Sequence, residues 1–389
     1  MTTRLAQRGQ LAYMREHGLE VTAVSAPGWD LAEVAQQEGV RTIAVPMERE
    51  LSPLRDLVSL WRLFRLFRSL RPEIVHAGTP KASLLGMLAA WAARVPVRIY
   101  ALKGLRLETV RGWKRKLLIF TERITARCAT RVFCEGPELA RVYAQLGFAP
   151  PEKLVVFGSG MLNGLEAERF QPELFSAEQN SELRRSLNIP DDAFVIGFVG
   201  RFVRDKGLVE LYEAFAKVRQ HHPRSHLLLV GDFEQGDPLP PEYALRLRND
   251  PQIALTQFVA NAAPYYQLMD IHMLPSYREG FPNTPMEAAA AEIPTVGFVA
   301  TGMGDAVVHG ETGTLVPCGD VTALAAAIER YIEDPILRQT HGQTARRRVE
   351  LEFAPEPIWA AIFAEYLRLL QAAGIATPKI SVCESINAP

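Results

Sequence analysis

The sequence predicts an α/β protein of two Rossmann-like, doubly wound domains that face each other across a cleft. Three observations predict it. Short apolar runs alternate with helix-like stretches along almost the whole chain, the pattern of right-handed βαβ units on a parallel sheet. One polar, irregular stretch, residues 171–192, interrupts that alternation and reads as a linker. The length of 389 residues suits two domains of roughly 150 residues each.

The first domain is expected over residues 1–180. It opens on a helix-like segment, 5–17, that ends at Gly18. LEVTAVS (19–25) and GVRTIAVPM (39–47) read as strands, followed by a long helix at 54–70. PEIVHAG (72–78) is a further strand, 82–93 a helix, and VRIYAL (97–102) and TRVFCEG (130–136) repeat the cycle. A doubly wound domain opens with an apolar strand that is central in its sheet. No strand precedes residues 5–17, so the first strand is expected to be missing from this sequence, leaving two strand edges unpaired.

The second domain is expected over 190–352. AFVIGFVG (193–200), SHLLLVGD (225–232), IALTQFV (253–259) and DIHMLPS (270–276) are apolar runs, as required when helices cover both faces of a sheet. Later helices are expected at 322–332 and 355–371. Segment 353–373 is read as a helix crossing back to the first domain, and 374–389 as a disordered tail. In two open parallel sheets, ligands bind at the carboxyl ends of the strands, which places the default site in the crevice between the domains.

The overall formal charge is −1, with 48% hydrophobic residues, which excludes a polyelectrolyte or a disordered chain. The charge is unevenly spread. Residues 1–170 hold 25 Lys and Arg against 16 Asp and Glu, a net of +9, and the remainder 18 against 28, a net of −10. The first half therefore suits an anionic partner, the alternative being a bipolar surface with no partner. In 54–70, a helical wheel puts Leu57, Leu60, Leu63, Phe64, Leu66, Phe67 and Leu70 on one side. Arg55, Arg62, Arg65 and Arg68 fall on the other, with Trp61 among them. RGWKRKLLIF (111–120) joins three consecutive cations to Trp113. Both patterns favour an anionic membrane surface over nucleic acid, although a helix packed on its own sheet has the same alternation. The four cysteines have neither metal spacing nor a disulfide framework. No signal peptide opens the chain, and its longest apolar run, near 84–93, is about half of what a bilayer span needs. A cytoplasmic protein, peripheral at the inner face of the membrane, is expected.

Two segments carry chemistry. In VGRFVRDKG (199–207) a strand ends at Gly200, Arg201 follows, and Lys206 stands at the start of a helix. Two cations beside a helix N-terminus are equipment for a diphosphate, or else two solvated surface charges. In PSYREGFPNTPMEAAAAE (275–292), Glu279 lies in a loop and Glu287 eight residues later in a first helical turn. Backbone N–H groups from Gly280 onward suit a phosphate. Glu279 suits sugar hydroxyls and Glu287 a ribose diol. Equally, Thr284-Pro285-Met286-Glu287 matches a capping box in which Glu287 only caps its helix. The glycine-rich 299–317 adds Asp305 and Glu311 as polar contacts. In HAGTPKASLLG (76–86), His76 or Lys81 faces the crevice, or His76 is structural.

GRFVRDKG, PSYREGFPNTPMEAAAAEIPTVG and HGETGTLVP together resemble the retaining glycosyltransferases of family 4, which have the GT-B fold. Glu279 and Glu287 meet that family's Glu-x7-Glu signature. HAGTPKASLLGMLAA, VPVRIYALKGLRLET and LNGLEAERF resemble the bacterial branch that builds capsule, O-antigen and related surface glycans on a lipid carrier. The resemblance covers residues 10–369. It implies a nucleoside diphosphate-sugar donor, UDP-linked by branch, and hexosyl or N-acetylhexosaminyl transfer to a lipid-linked glycan acceptor with retention of configuration. Arg201 and Lys206 would hold the diphosphate, Glu279 the donor sugar and Glu287 the ribose, with Gly200, Gly280, Phe281, Pro282 and Asn283 lining the donor. No metal and no other cofactor are implied. The chain departs from the family at Lys103 and Gly78, where His is common, and at Glu166, where Asp is common. Lys103 would then serve as a first-domain cation beside the donor. Two other readings remain: a sugar-nucleotide epimerase, against which Glu-x7-Glu argues, and a non-catalytic sugar-nucleotide-binding subunit.

Overall fold

In a computed structural model the described residues are 8–48, 52–234 and 236–376. The start of the segment expected at 5–17 and most of the tail expected at 374–389 lie outside them.

Among the described residues, six strands build the first domain: β1 (Thr22–Ser25), β2 (Arg41–Ala44), β3 (Ile74–Ala77), β4 (Val97–Leu102), β5 (Arg131–Cys134) and β6 (Leu154–Val155). They form two parallel sheets, β1–β2 and β3-β4-β5-β6. Among the described residues no ladder joins β1 to β3, yet the two pieces share a layer. Val24 and Ile43 pack against the same core as Val75 and Tyr100, together with Leu63 and Phe67 of helix Pro53–Leu70. That helix lies beside Pro80–Ala92, which in turn lies beside Gly112–Cys128. The opposite face is covered by Gln10–Glu16 and by Pro355–Ala372. The latter packs Ile358, Trp359, Ile362, Phe363 and Tyr366 on Val97, Ile99, Ala101 and Phe133. The last helix thus returns to the first domain.

One expected apolar face holds along most of its length. In Pro53–Leu70 the inner position goes to Ser59, whose hydroxyl donates to the Pro46 carbonyl at 2.7 Å. Leu63 and Phe67 of the expected stripe are buried and Leu60, Phe64 and Leu66 pack against the same core, while Leu57 at its start is exposed, as are Leu54 and Val58 outside it.

The second domain has one continuous parallel sheet: β7 (Phe194–Val199), β8 (Ser225–Val230), β9 (Ile253–Leu255), β10 (Ile271–Leu274), β11 (Thr295–Phe298) and β12 (Gly313–Val316), in the order β12-β11-β10-β7-β8-β9. The stretch expected as an irregular linker contains helix Ala177–Ser186. Ser176 and Gln179 start it with a reciprocal capping box, a signal the low hydrophobicity of the stretch conceals. Met161, Ala167 and Phe170 already belong to the second-domain core, so the chain changes domain ahead of residue 180.

Candidate active site

β7 and β10 are neighbours at the centre of the second sheet, so the loops leaving their carboxyl ends meet. After β7 comes the turn Arg204–Lys206, then Gly207, then helix Leu208–His221. Gly207 has φ 71°, and a Cβ there would collide with the Pro275 carbonyl. Glycine is therefore required where the two loops touch. The Asp205 carbonyl accepts from Tyr277 N–H at 2.9 Å, and its carboxylate pairs with Arg278 at 2.7 Å. The Tyr277 hydroxyl donates to Glu210 at 2.8 Å. This interlock holds Lys206 Nζ 2.5 Å from Glu279 Oε1, both side chains largely shielded from solvent.

The first domain closes over this pair. Its Lys103 carbonyl lies against Gly280 so closely that a Cβ at Gly280 would overlap it. Arg278 Nε donates to Thr109 Oγ1 at 3.1 Å, and Thr301 Oγ1 donates to Glu108 at 2.8 Å. Gly302 N–H donates to the Glu138 carboxylate, and Glu138 N–H to the Asp305 carboxylate, both at 2.9 Å. Burial raises the Glu108 and Asp305 carboxyls above their usual range. Phe281 and Pro282 are buried in the seam, Phe281 with its ring 5.3 Å from that of Phe353, and Asn283 is exposed.

Two expected donor residues look elsewhere. Arg201 is exposed beyond Gly200 and pairs with Glu234 at 2.9 Å. Glu287 does not cap its helix: Asn283–Ala290 starts one residue before Thr284 and has no side-chain cap. Its carboxylate instead accepts from the buried Tyr266 hydroxyl at 2.8 Å. Burial pushes that carboxyl up, while the Tyr266 hydroxyl and nearby Arg169 pull it down.

The chain is similar to known proteins over most of its length. Residues 179–348 match the family described as glycosyl transferases group 1, and residues 4–160 the glycosyl transferase 4-like domain. The Staphylococcus aureus capsular polysaccharide biosynthesis glycosyltransferase CapM is 36% identical over 364 residues, 94% of each protein. The chain belongs to the group 1 glycosyltransferases. An Escherichia coli relative of this transferase, UDP-Gal:alpha-D-GlcNAc-diphosphoundecaprenol alpha-1,3-galactosyltransferase, is 26% identical over 77% of each protein. Among solved structures, Anabaena HepE in complex with UDP and glucose superimposes with a TM-score of 0.75 at 21% identity, over 92% of this chain and 94% of that one. Sucrose-phosphate synthase from Thermosynechococcus elongatus also gives 0.75, at 22% identity over 93% and 92%. The fold of the transferase is GT-B.

In this glycosyltransferase the three first-domain candidates part ways. Lys103 reaches the seam through its backbone, and its Nζ pairs with Glu135 at 3.0 Å. His76 is turned to the last helix, its Nδ1 2.6 Å from the Tyr366 hydroxyl. Burial first and the Lys103 charge second lower its pKa to about 4. Lys81 pairs with Asp56 at 2.7 Å. Sequence reasoning passed over Asp205, Tyr266, Arg278, Glu108 and Glu138. Asp205 and Arg278 stand inside the two quoted motifs, beside residues that were chosen. Glu138 follows a strand end and a Gly-Pro step, where an acidic side chain has no core to enter. Among the described residues no cluster of three or more His, Cys, Asp or Glu is placed to hold a metal.

Proposed function

We propose that this glycosyltransferase moves a hexosyl or N-acetylhexosaminyl unit from a UDP-sugar to a lipid-linked surface-glycan acceptor, with retention of configuration. The observation that carries the donor assignment is the Lys206–Glu279 pair at the meeting of the β7 and β10 loops, under the Lys103–Thr109 segment of the first domain. Lys206, joined by Arg201 once it leaves Glu234, offsets charge building on the departing diphosphate. Glu279 accepts from donor hydroxyls, Glu287 from the ribose, and N–H groups beginning at Gly280 lie along the phosphates. Cations already do the work a divalent metal would do, so the transfer runs without one. UDP is favoured because the Escherichia coli relative is a UDP-Gal-dependent galactosyltransferase and the HepE structure holds UDP with glucose. The lipid carrier is favoured because one of those relatives acts on a diphosphoundecaprenol-linked sugar. None of the described helices is long and apolar enough to cross a membrane; the proposed place of the reaction, peripheral at the inner face of the membrane, is supported by the lipid-linked acceptor of that relative.

The test supplies the full chain with a panel of UDP-sugars and a polyprenyl-diphosphate-linked sugar, then determines the product anomer. An α-linked product from an α-linked donor is expected. Donor turnover with no acceptor requirement, or an epimerised donor, would overturn the reading.

A further inference from the structure

We infer that the transferase docks on an anionic lipid surface through the outer helix layer of its first domain, with Trp61, Trp113 and Phe120 entering the interface and the neighbouring cations meeting headgroups. The three helices of that layer, Pro53–Leu70, Pro80–Ala92 and Gly112–Cys128, carry ten Lys and Arg against two carboxylates. Both carboxylates are engaged inside the protein. Asp56 pairs with Lys81, and Glu122 accepts from the hydroxyls of Tyr100 and Tyr143 at 2.8 and 3.0 Å. The outward field of the layer is therefore positive.

Its aromatic residues are exposed as well. Trp61, Trp91 and Trp113 are 55, 60 and 68% exposed and Phe120 60% exposed, while Trp359 of the last helix is 8% exposed. Tryptophan is highly buried on average, so three open ones on adjacent helices call for a partner. Trp113 and Phe120 are seven residues apart and share a helix face, with Arg111, Lys114, Arg115 and Lys116 exposed around its first turn. The Arg65 guanidinium sits 4.9 Å over the Trp61 ring. A polyanion in water would take up the cations but leave Leu54, Leu57 and Val58 uncovered. A bilayer interface accepts aromatic rings, aliphatic side chains and cations together.

The surface adjoins the cleft. Trp113 is four residues beyond Thr109, whose hydroxyl meets Arg278 next to Glu279. Docking there would hold the seam at headgroup level. For its purpose this rests on the lipid-linked acceptor proposed above, but its measurement uses neither donor nor acceptor.

The experiment is flotation of the full chain at low salt with phosphatidylcholine vesicles, alone or mixed with phosphatidylglycerol. Binding to the mixed vesicles only, reversed by high salt, is expected, with a blue shift of tryptophan emission. Trp113→Ser and Trp61→Ser should each lower partitioning about tenfold, since an aromatic burial of a little over 1.4 kcal/mol is lost. Melting temperature and transfer to a soluble acceptor should be unchanged. No flotation, equal flotation on phosphatidylcholine alone, variants that float like the parent, or displacement from vesicles by a DNA oligonucleotide would each overturn the docking surface. Loss of transfer in solution with flotation intact would count against the proposed reaction alone.

Discussion

In the second domain six parallel strands run unbroken from β12 to β9, whereas in the first the strands fall into a pair and a quartet. The second places its two functional loops on adjacent central strands and ties them together through Asp205, Tyr277, Arg278 and Glu210. The first spends its surfaces on neighbours: the last helix on one face, the other domain at the strand ends, and three exposed tryptophans on the outer helices. The difference teaches where preorganisation is concentrated. Charges aimed at a leaving group act best when their positions need no rearrangement, and in the proposed reaction the continuous sheet of the second domain fixes Lys206, whereas Arg201 must first leave Glu234. The first domain supplies covering backbone and partner surface, which tolerate a looser frame.

The largest effect should come from the pair that defines this contrast. Lys206→Ala and Glu279→Ala are each expected to lower kcat about 100-fold or more, with circular dichroism and melting temperature close to the parent's. Lys103→Ala should lose far less, since its side chain is already held by Glu135. A Lys103→Ala loss as large as that of Lys206→Ala would break the comparison, because catalysis would then depend equally on both halves.

A smaller effect concerns acid stability, to which His76 in the first domain and His272 in the second contribute. The His76 pKa is lowered to about 4 and the His272 pKa to about 3, chiefly by burial, against an unfolded value of about 6.5. The unfolded chain thus binds more protons between these values, so stability is present above pH ~6.5 and falls as pH drops toward the folded pKa. At pH 5 each histidine costs about 2 kcal/mol. Glu122, Glu287 and Asp270, whose carboxyls are raised by burial, act in the opposite sense, so the measurement is a difference. Between pH 7 and 5 the unfolding midpoint should fall less steeply in His76→Gln than in the parent. Identical slopes would mean that His76 is not held neutral between Tyr366 and the Lys103 charge.

The smallest effect should come from Tyr266→Phe. Removing one hydroxyl from Glu287 is expected to raise donor KM about tenfold, the lower end of what one hydrogen bond to a charged group contributes, with kcat nearly unchanged. An unchanged KM with a lowered melting temperature would assign the contact to the core alone and sharpen the view that Lys206 and Glu279 suffice.

How far the sequence discloses this depends on what each residue faces. β7, β8 and β10 are legible as apolar runs because helices cover both their faces. β11 and β12 are harder to see, since TVGF and GTLV mix glycine and threonine within a glycine-rich stretch. Helix Pro335–Glu352 escaped notice because it is mostly polar, with only His341, Gly342, Ala345 and Val349 buried. At the site, Lys206 and Glu279 follow from spacing because each is fixed by its own strand end. The direction of Glu287 and Arg201 does not, because it depends on Tyr266 and Glu234, which come from other parts of the chain. The charge asymmetry was visible from composition, whereas the burial of Ser59 beside an exposed Leu57 was not, because it involves the Pro46 carbonyl from the preceding loop.

The divided sheet has a consequence for how the molecule breathes. A two-stranded ribbon is marginal by itself, so β1–β2 is held by what Val24 and Ile43 bury against the neighbouring core. Proteins open in cooperative pieces whose cost ranges from near zero to that of global unfolding. The ribbon has a ladder on one edge only among the described residues, which makes it the cheapest such piece with regular structure. In native-state hydrogen exchange its amides should therefore exchange through local opening while those of β7 and β10 wait for complete unfolding. The chain then has a fluctuating flank and a quiet central sheet in its second domain, and a deuterium label on Thr22–Ser25 follows the first without disturbing the second.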